Sequence, residues 1–232
     1  MLIDDIVKTW STYSSTYMSG IKNTLLLAFV GTLFGCLIGF LCGILQTIPY
    51  KNNDSGIKKF FIKFLRGFIR VYVEFFRGTP MVLQAVFFYY GVPYLTQGTK
   101  LWSSVWACAM LVVSINTGAY MAETVRGGIL SIDKGQTEGA KAIGMNHWQT
   151  MLYVIMPQVF KNILPQIGNN YIINVKDTSV MFVITFTEFF AAHRAVVGAT
   201  YLYFPSAVIE MIGYLTMTLL ASFILRLIEK KM

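Results

Sequence analysis

Residues 25–45 carry no charged side chain, and this stretch limits the chain's folding choices more than any other. A bilayer core about 30 Å thick takes roughly 20 apolar residues in a helix, and backbone groups in lipid must be bonded internally. A first membrane span is therefore expected over 21–48. Within it Gly31, Gly35, Gly39 and Gly43 recur at every fourth position. That spacing forms one small-residue ridge for close helix packing, the alternative being glycines that face lipid.

The remaining chain fits the same environment. Of 232 residues, 55% are hydrophobic and 13% charged, too apolar for an ordinary soluble domain. The net charge of +8 raises nucleic acid as a partner. The basic residues flank apolar spans, however, as the positive-inside rule describes, so nucleic-acid binding is not expected. Asp4 and Asp5 occupy the place of a signal peptide's basic region. Cys36, Cys42 and Cys108 lie in apolar segments without zinc or disulfide spacing.

A polar break over 49–59 precedes a basic stripe of Lys59, Lys63, Arg66 and Arg70, with Phe60, Phe61, Phe64 and Phe68 between them. Such a helix lies in a headgroup interface. The second span is expected over 69–94, with Glu74 and Arg77 at or inside the boundary, where an unpaired charge is costly. Gly78 and Pro80 should bend or break it. The third span, 101–126, begins with Trp102 and Trp106, suited to an outer aromatic belt, and carries Ser114, Asn116 and Thr117.

The fourth span, 148–176, bends at Pro157 and Pro165. Its polar series Asn162, Gln166, Asn169 or Asn170, Asn174 and Asp177 should face protein or water; a bonded helix interface and a solute path both satisfy that. The mixed stretch 180–203 reads as an outer helix and loop with His193 on the surface. The fifth span is expected over 205–228, with Glu210 near the outer interface. Neither His193 nor His147 has metal-like spacing to other ligands. Basic residues fall on one face if the N-terminus is outside and the C-terminus cytoplasmic.

Between the third and fourth spans, 131–157 holds no membrane-length run and must lie at the membrane edge. Asp133 with Gln136 reads as a capping box, Glu138 and Lys141 share a helix face, and Gly144 is a stop. Asn146 with Gln149 starts a second helix, which Pro157 interrupts. An amphipathic connector resting on lipid would also fit.

Glu138-Gly139-Ala140, Gly144, and then Val154 and Met156-Pro157 resemble the "EAA" loop of ABC importer permeases, departing from it at Gly139, Val154 and Met156. The segment 75–93, with Arg77-Gly78-Thr79-Pro80, Gln84, Tyr89-Tyr90 and Gly91, resembles permeases for polar amino acids. So do 119–129 and Lys176-Asp177-Thr178-Ser179. The resemblance implies an all-α integral membrane protein with the type I ABC importer (MetI-like) permease fold. It would form one transmembrane permease domain over 1–232 in a bacterial cell membrane.

It further implies that Glu138, Gly139, Ala140, Ile143 and Gly144, in a cytoplasmic coupling loop over 131–147, meet a separate ATPase dimer. ATP and magnesium would bind that dimer, with no cofactor on this chain. A second permease copy or paralogue and an extracytoplasmic amino-acid-binding protein would complete the assembly. Glu74, Arg77, Thr79, Gln84, Asn116, Gln166, Asn169, Asn170, Lys176, Asp177 and Thr178 are the expected substrate path. The chain holds no phosphate-binding loop, GxSxG or HExxH motif, so no catalytic role is expected. An ion-gradient transporter using Glu74 and Asp177 is the alternative.

Overall fold

The computed structural model describes residues 2–50, 54–98 and 104–231. Trp102 and the expected start of the third span lie outside them. The described elements are helical: α1 Leu2–Thr47, α2 Gly56–Gly78, α3 Met81–Val86, α4 Val92–Leu95, α5 Val105–Leu130, α6 Lys134–Ala142, α7 His147–Gln149, α8 Met156–Asp177, α9 Phe189–Thr200 and α10 Tyr203–Glu229. Three of these, α1, α5 and α10, are each long and apolar enough to cross a bilayer, and 147–184 with α9 forms a further pair bent by 52°.

The glycine ridge organises the core. A β-carbon at Gly31, Gly35, Gly39 or Gly43 would strike Val113, Thr117, Met121 or Val125 respectively. Both series rise together, so α1 and α5 run parallel with backbones in close approach. The same logic makes α2 antiparallel to α5, since Tyr72 donates to Ile115 O while Ile69 and Val73 pack on Ala122. It makes α8 antiparallel to α5 as well, because Asn174 meets Thr117 while Val159 and Ile163 crowd Gly128. α1 extends beyond the expected span as an N-terminal arm with a kink at Tyr13 (φ −115°).

The break expected at Gly78 and Pro80 forms, but the helix before it begins earlier than the expected span. One amphipathic helix, α2, runs from Gly56 through the basic stripe to Gly78, and a separate α3 begins after Pro80. The apolar run and the stripe keep one helical period with no proline before Pro80, and Gly67 alone does not interrupt it, so they form one element. Thr79 is extended there (φ −120°, ψ 143°). Gln84 Nε2 reaches Phe76 O and Thr79 O at 3.0 Å each, and Asn116 Nδ2 reaches Phe76 O at 3.2 Å and Gln84 Oε1 at 3.1 Å. These two amides occupy the carbonyls that the break releases, which makes it tolerable inside the protein.

Two wide π-helical turns, Phe87–Gly91 and Thr150–Ile155, each end two residues before a proline, Pro93 and Pro157. A proline lacks the N–H of the ladder and crowds the carbonyl four residues back, and a widened turn removes that crowding. Pro157 therefore reshapes the helix without ending it. Pro165 lies inside α8, and 3-10 turns over Thr178–Ile184 continue it to the bend before α9.

Candidate functional site: a polar cavity and an exposed connecting helix

A cavity of about 570 Å³ opens where the α2–α3 break faces α5 and the far end of α8. Of the residues expected on a substrate path, Arg77, Thr79, Asn116, Asn170 and Asp177 line it together, joined by Thr117, Tyr120 and Asn174. The Arg77 guanidinium stands 5.4 Å from the Tyr120 ring centroid, close enough for a cation–π contact. Tyr120 was not foreseen, although it lies one helical turn beyond Asn116.

Beneath the lining, Asn174 ties three helices together. Its Nδ2 donates to Thr32 Oγ1 on α1 at 2.8 Å and to Thr117 Oγ1 on α5 at 3.0 Å. All three side chains are buried, so the cavity wall rests on a bonded network. The lining thus sets one cation and one anion among neutral amides and hydroxyls.

Other expected path residues lie elsewhere. Gln84 is only 4% exposed and braces the break. Glu74, one turn before Arg77, faces a different cavity with Arg70, Glu123 and Arg126. Lys176 lines a third cavity beside Glu210. Thr178 is buried with its hydroxyl on Val175 O. Gln166 and Asn169 are exposed outside the polar cavity.

The connector between α5 and α8 forms α6, which packs on the wide turn at 150–155. Gly144 has φ +85°, Met145 N donates to Ala140 O and Gly144 N to Lys141 O, each at 3.0 Å. This paired left-handed ending is the stop glycine allows. The expected Asp133/Gln136 box does not form. Asp133 caps Gly135 N at 2.7 Å, and Gln136 instead accepts from Gln158 of α8. Glu138 and Lys141 are exposed and form no ion pair among the described residues. The Asn146/Gln149 box forms fully.

Ala140 is buried against the chain, whereas Ile143 is 75% exposed and Gly139 has no atom near a hypothetical β-carbon. The helix thus presents an uncovered apolar tip beside a side-chain-free patch. His147 follows it; burial, and secondarily the Lys141 cation, hold its imidazole below the usual histidine range.

A second polar cluster was missed. Glu188 is fully buried, capping α9 through Phe190 N and Ala191 N at 2.6 Å each and accepting from Tyr214 OH at 3.1 Å. His193, expected on the surface, is half-buried: its Nδ1 bonds Ser206 Oγ at 2.8 Å and lies 3.5 Å from Glu210. Glu210 is tucked against the protein, 12% exposed. Ser206, Glu210 and Tyr214 share one face of α10, and Glu188 and His193 sit at the start of α9; the cluster exists only where those two helices meet.

Three comparisons bear on this architecture. Residues 55–232 match the family model described as binding-protein-dependent transport system inner membrane component. The chain is 33% identical over 216 residues to the glutamine transport system permease protein GlnP of Escherichia coli (strain K12), covering 93% of this chain and 92% of that one. It is 32% identical over 218 residues to the arginine transport system permease protein ArtQ of Bacillus subtilis (strain 168), covering 93% and 91%. Among solved structures, a crystal structure of an amino acid ABC transporter with histidines superposes with a TM-score of 0.81 at 32% identity, covering 96% of each chain. The overall arrangement of helices is thus shared with that transporter, and the chain belongs to the family of binding-protein-dependent transport system inner membrane components.

Proposed function

We propose that this chain is the membrane-spanning subunit of an ATP-driven importer for a polar amino acid, with Arg77, Thr79, Asn116, Asn170 and Asp177 lining the route. The carrying observation is the cavity that brings Arg77 and Asp177 together among amides and hydroxyls. Arg77 suits the substrate carboxylate and Asp177 its ammonium group. The permease relatives for glutamine and arginine support an amino acid as cargo.

Energy enters through α6. Glu138, Gly139, Ile143 and Gly144 dock in a cleft of a cytoplasmic ATPase dimer, which binds ATP and magnesium, while Ala140 anchors the helix to the chain. Closure of the ATPase rocks this subunit and a second permease chain from inward-open to outward-open, where a binding protein delivers substrate. ATP and loaded binding protein favour the same conformer, so each strengthens the other's effect.

Five crossings in a bacterial cell membrane, with the N-terminus outside, fit the alternation of direction through α1, the α2–α4 segment, α5, α8 and α10. Leu225 against Gly168 and Tyr214 beside Lys176 make the last two antiparallel. The test is uptake by proteoliposomes holding the purified assembly. Arg77→Gln and Asp177→Asn each remove a charge-assisted bond, raising KM by about ten- to a hundredfold while ATPase assembly persists. Unchanged kinetics in both, or uptake without ATP, refutes the proposal.

A further inference from the structure

The cavity that took Glu74 out of the expected route has its own chemistry. It measures about 470 Å³ and is bounded by Gln46 at the end of α1, by Arg66, Arg70 and Glu74 on one face of α2, and by Glu123 and Arg126 on α5. Glu123 and Arg126 form an ion pair. Arg66 lies against Tyr50, 5.2 Å from its ring centroid, and one of its terminal nitrogens donates to Ile48 O at 2.5 Å. Arg70 and Glu74 join no ion pair among the described residues.

Among the described residues, Arg66 Nε and Gln46 Oε1 have no partner, but both atoms are closed off from the cavity. The side chains an occupant meets are the exposed Arg70 and Glu74, with Arg126 and Glu123 across from them. Three guanidiniums against two carboxylates leave one net positive charge, so the occupant that balances the cavity carries one negative charge. It accepts from guanidinium and also donates to a carboxylate.

The location says where it comes from. On the same helix, Phe60, Phe61, Phe64 and Phe68 are all more than 60% exposed. Rings bared along a membrane protein's amphipathic helix belong in the interfacial layer, so the cavity opens at the depth of lipid phosphates.

We infer that this cavity is a binding site for the headgroup of an anionic phosphodiester lipid with a hydroxylated head, of the phosphatidylglycerol kind. The phosphate sits against Arg70, with Arg66 behind it, and the head hydroxyls donate to Glu74. The bound lipid fastens α2 to the ends of α1 and α5 and so braces the helix that ends at the Arg77 break. Inorganic phosphate shares the anion chemistry but lacks the hydroxylated donor arm and the acyl chains.

The test uses the full chain with its partner subunits in nanodiscs containing equal phosphatidylglycerol, phosphatidylethanolamine and phosphatidylcholine, with retained lipid counted by native mass spectrometry. Phosphatidylglycerol is expected to be retained over both others, and millimolar inorganic phosphate or amino acid should not displace it. Arg70→Gln should lower that retention about fivefold, the worth of one interfacial cation, while Arg70→Lys keeps most of it. Melting of each assembly in phosphatidylcholine alone checks that the variants are folded. Equal retention of the three lipids, a preference unchanged in folded Arg70→Gln, or displacement by phosphate (a free-anion site) or by amino acid (a substrate station) overturns the inference.

Discussion

Replacing Gly39 by alanine sets two effects against each other. Alanine improves a helix interior by about 0.5–1 kcal/mol. At Gly39, however, the new β-carbon would lie 2.3 Å from Met121 Cβ, 2.8 Å from the Met121 carbonyl carbon and 3.0 Å from Ala122 N. Carbon atoms prefer about 3.5–4.0 Å, and none of these three atoms is the far end of a flexible side chain. Relief requires α1 and α5 to part by about 1 Å, which thins the contacts at Gly35 and Gly43 as well. Overpacking of this kind costs about 1–3 kcal/mol, and rigid neighbours push it to the upper end, leaving a net loss near 2 kcal/mol. For a chain of this size that lowers the melting midpoint by about 5 °C. Cys36 on α1 and Cys108 on α5 are both buried, so a thiol-reactive fluorophore reports the separation of these two helices. Gly67→Ala, with nothing within 4 Å of its β-carbon, should melt at or slightly above the unsubstituted protein. A Gly39→Ala midpoint equal to or above the parent would refute the close-packed seam.

Other substitutions probe the break, the network and the connector. Gln84→Leu strands the Thr79 carbonyl, while Phe76 O keeps its bond from Asn116, and should cost about 1–3 kcal/mol, read as a lower melting midpoint and slower uptake. Asn174→Val leaves Thr32 and Thr117 without their shared partner; it should weaken substrate binding by about tenfold, seen by calorimetry on the assembly. Gly144→Ala forces a left-handed backbone on a side chain at about 1–2 kcal/mol and should reduce substrate-stimulated ATPase rates, as should Ile143→Asp, with membrane insertion intact on fractionation. Burial and Lys141 lower the His147 pKa, so the fold favours its neutral form. The stability this gives is complete above about pH 6.5 and lost as pH falls below it. Between pH 7.5 and 5.5, melting of the parent should therefore drop further than that of His147→Gln.

What the sequence reveals depends on how local the physics is. The Gly31–Gly43 ridge is readable because four-residue spacing on a helix means one face, whatever the partner. Arg77 and Asp177 are readable because a charge in a membrane-length segment needs a compensating environment. Glu74 meets the same criterion yet faces another cavity, because three residues along a helix move the side chain about 4.5 Å along the axis, enough to enter the next level of the α2–α5 seam. The Asp133/Gln136 box fails for a related reason: Gln158, distant in sequence, competes for the Gln136 side chain. Glu188, His193 and Glu210 each look unremarkable locally, and only the meeting of α9 with α10 makes them a cluster.

The elements so identified form one mechanical line. From His147 to Ile184 the chain is continuous helix of three kinds, widened before Pro157 and tightened after Asp177. Its near end carries the turn on which α6 packs and the Gln158 bond to Gln136; its far end presents Asn170, Asn174 and Asp177 to the polar cavity. A force on α6 therefore enters the same rod that holds half the cavity wall. The rod is held to α1 and α5 by Asn174, and above that point it meets the bend before α9, where buried Glu188 fixes the start of the next helix. Rotation about the Asn174 contact would move Asp177 relative to Arg77, which stands on the separately braced α2 break. If the proposed transport cycle opens this cavity, a change in the separation of its two walls would suffice, and the π turn at 150–155, an irregularity in the rod's hydrogen-bond ladder, is where such a motion would be absorbed.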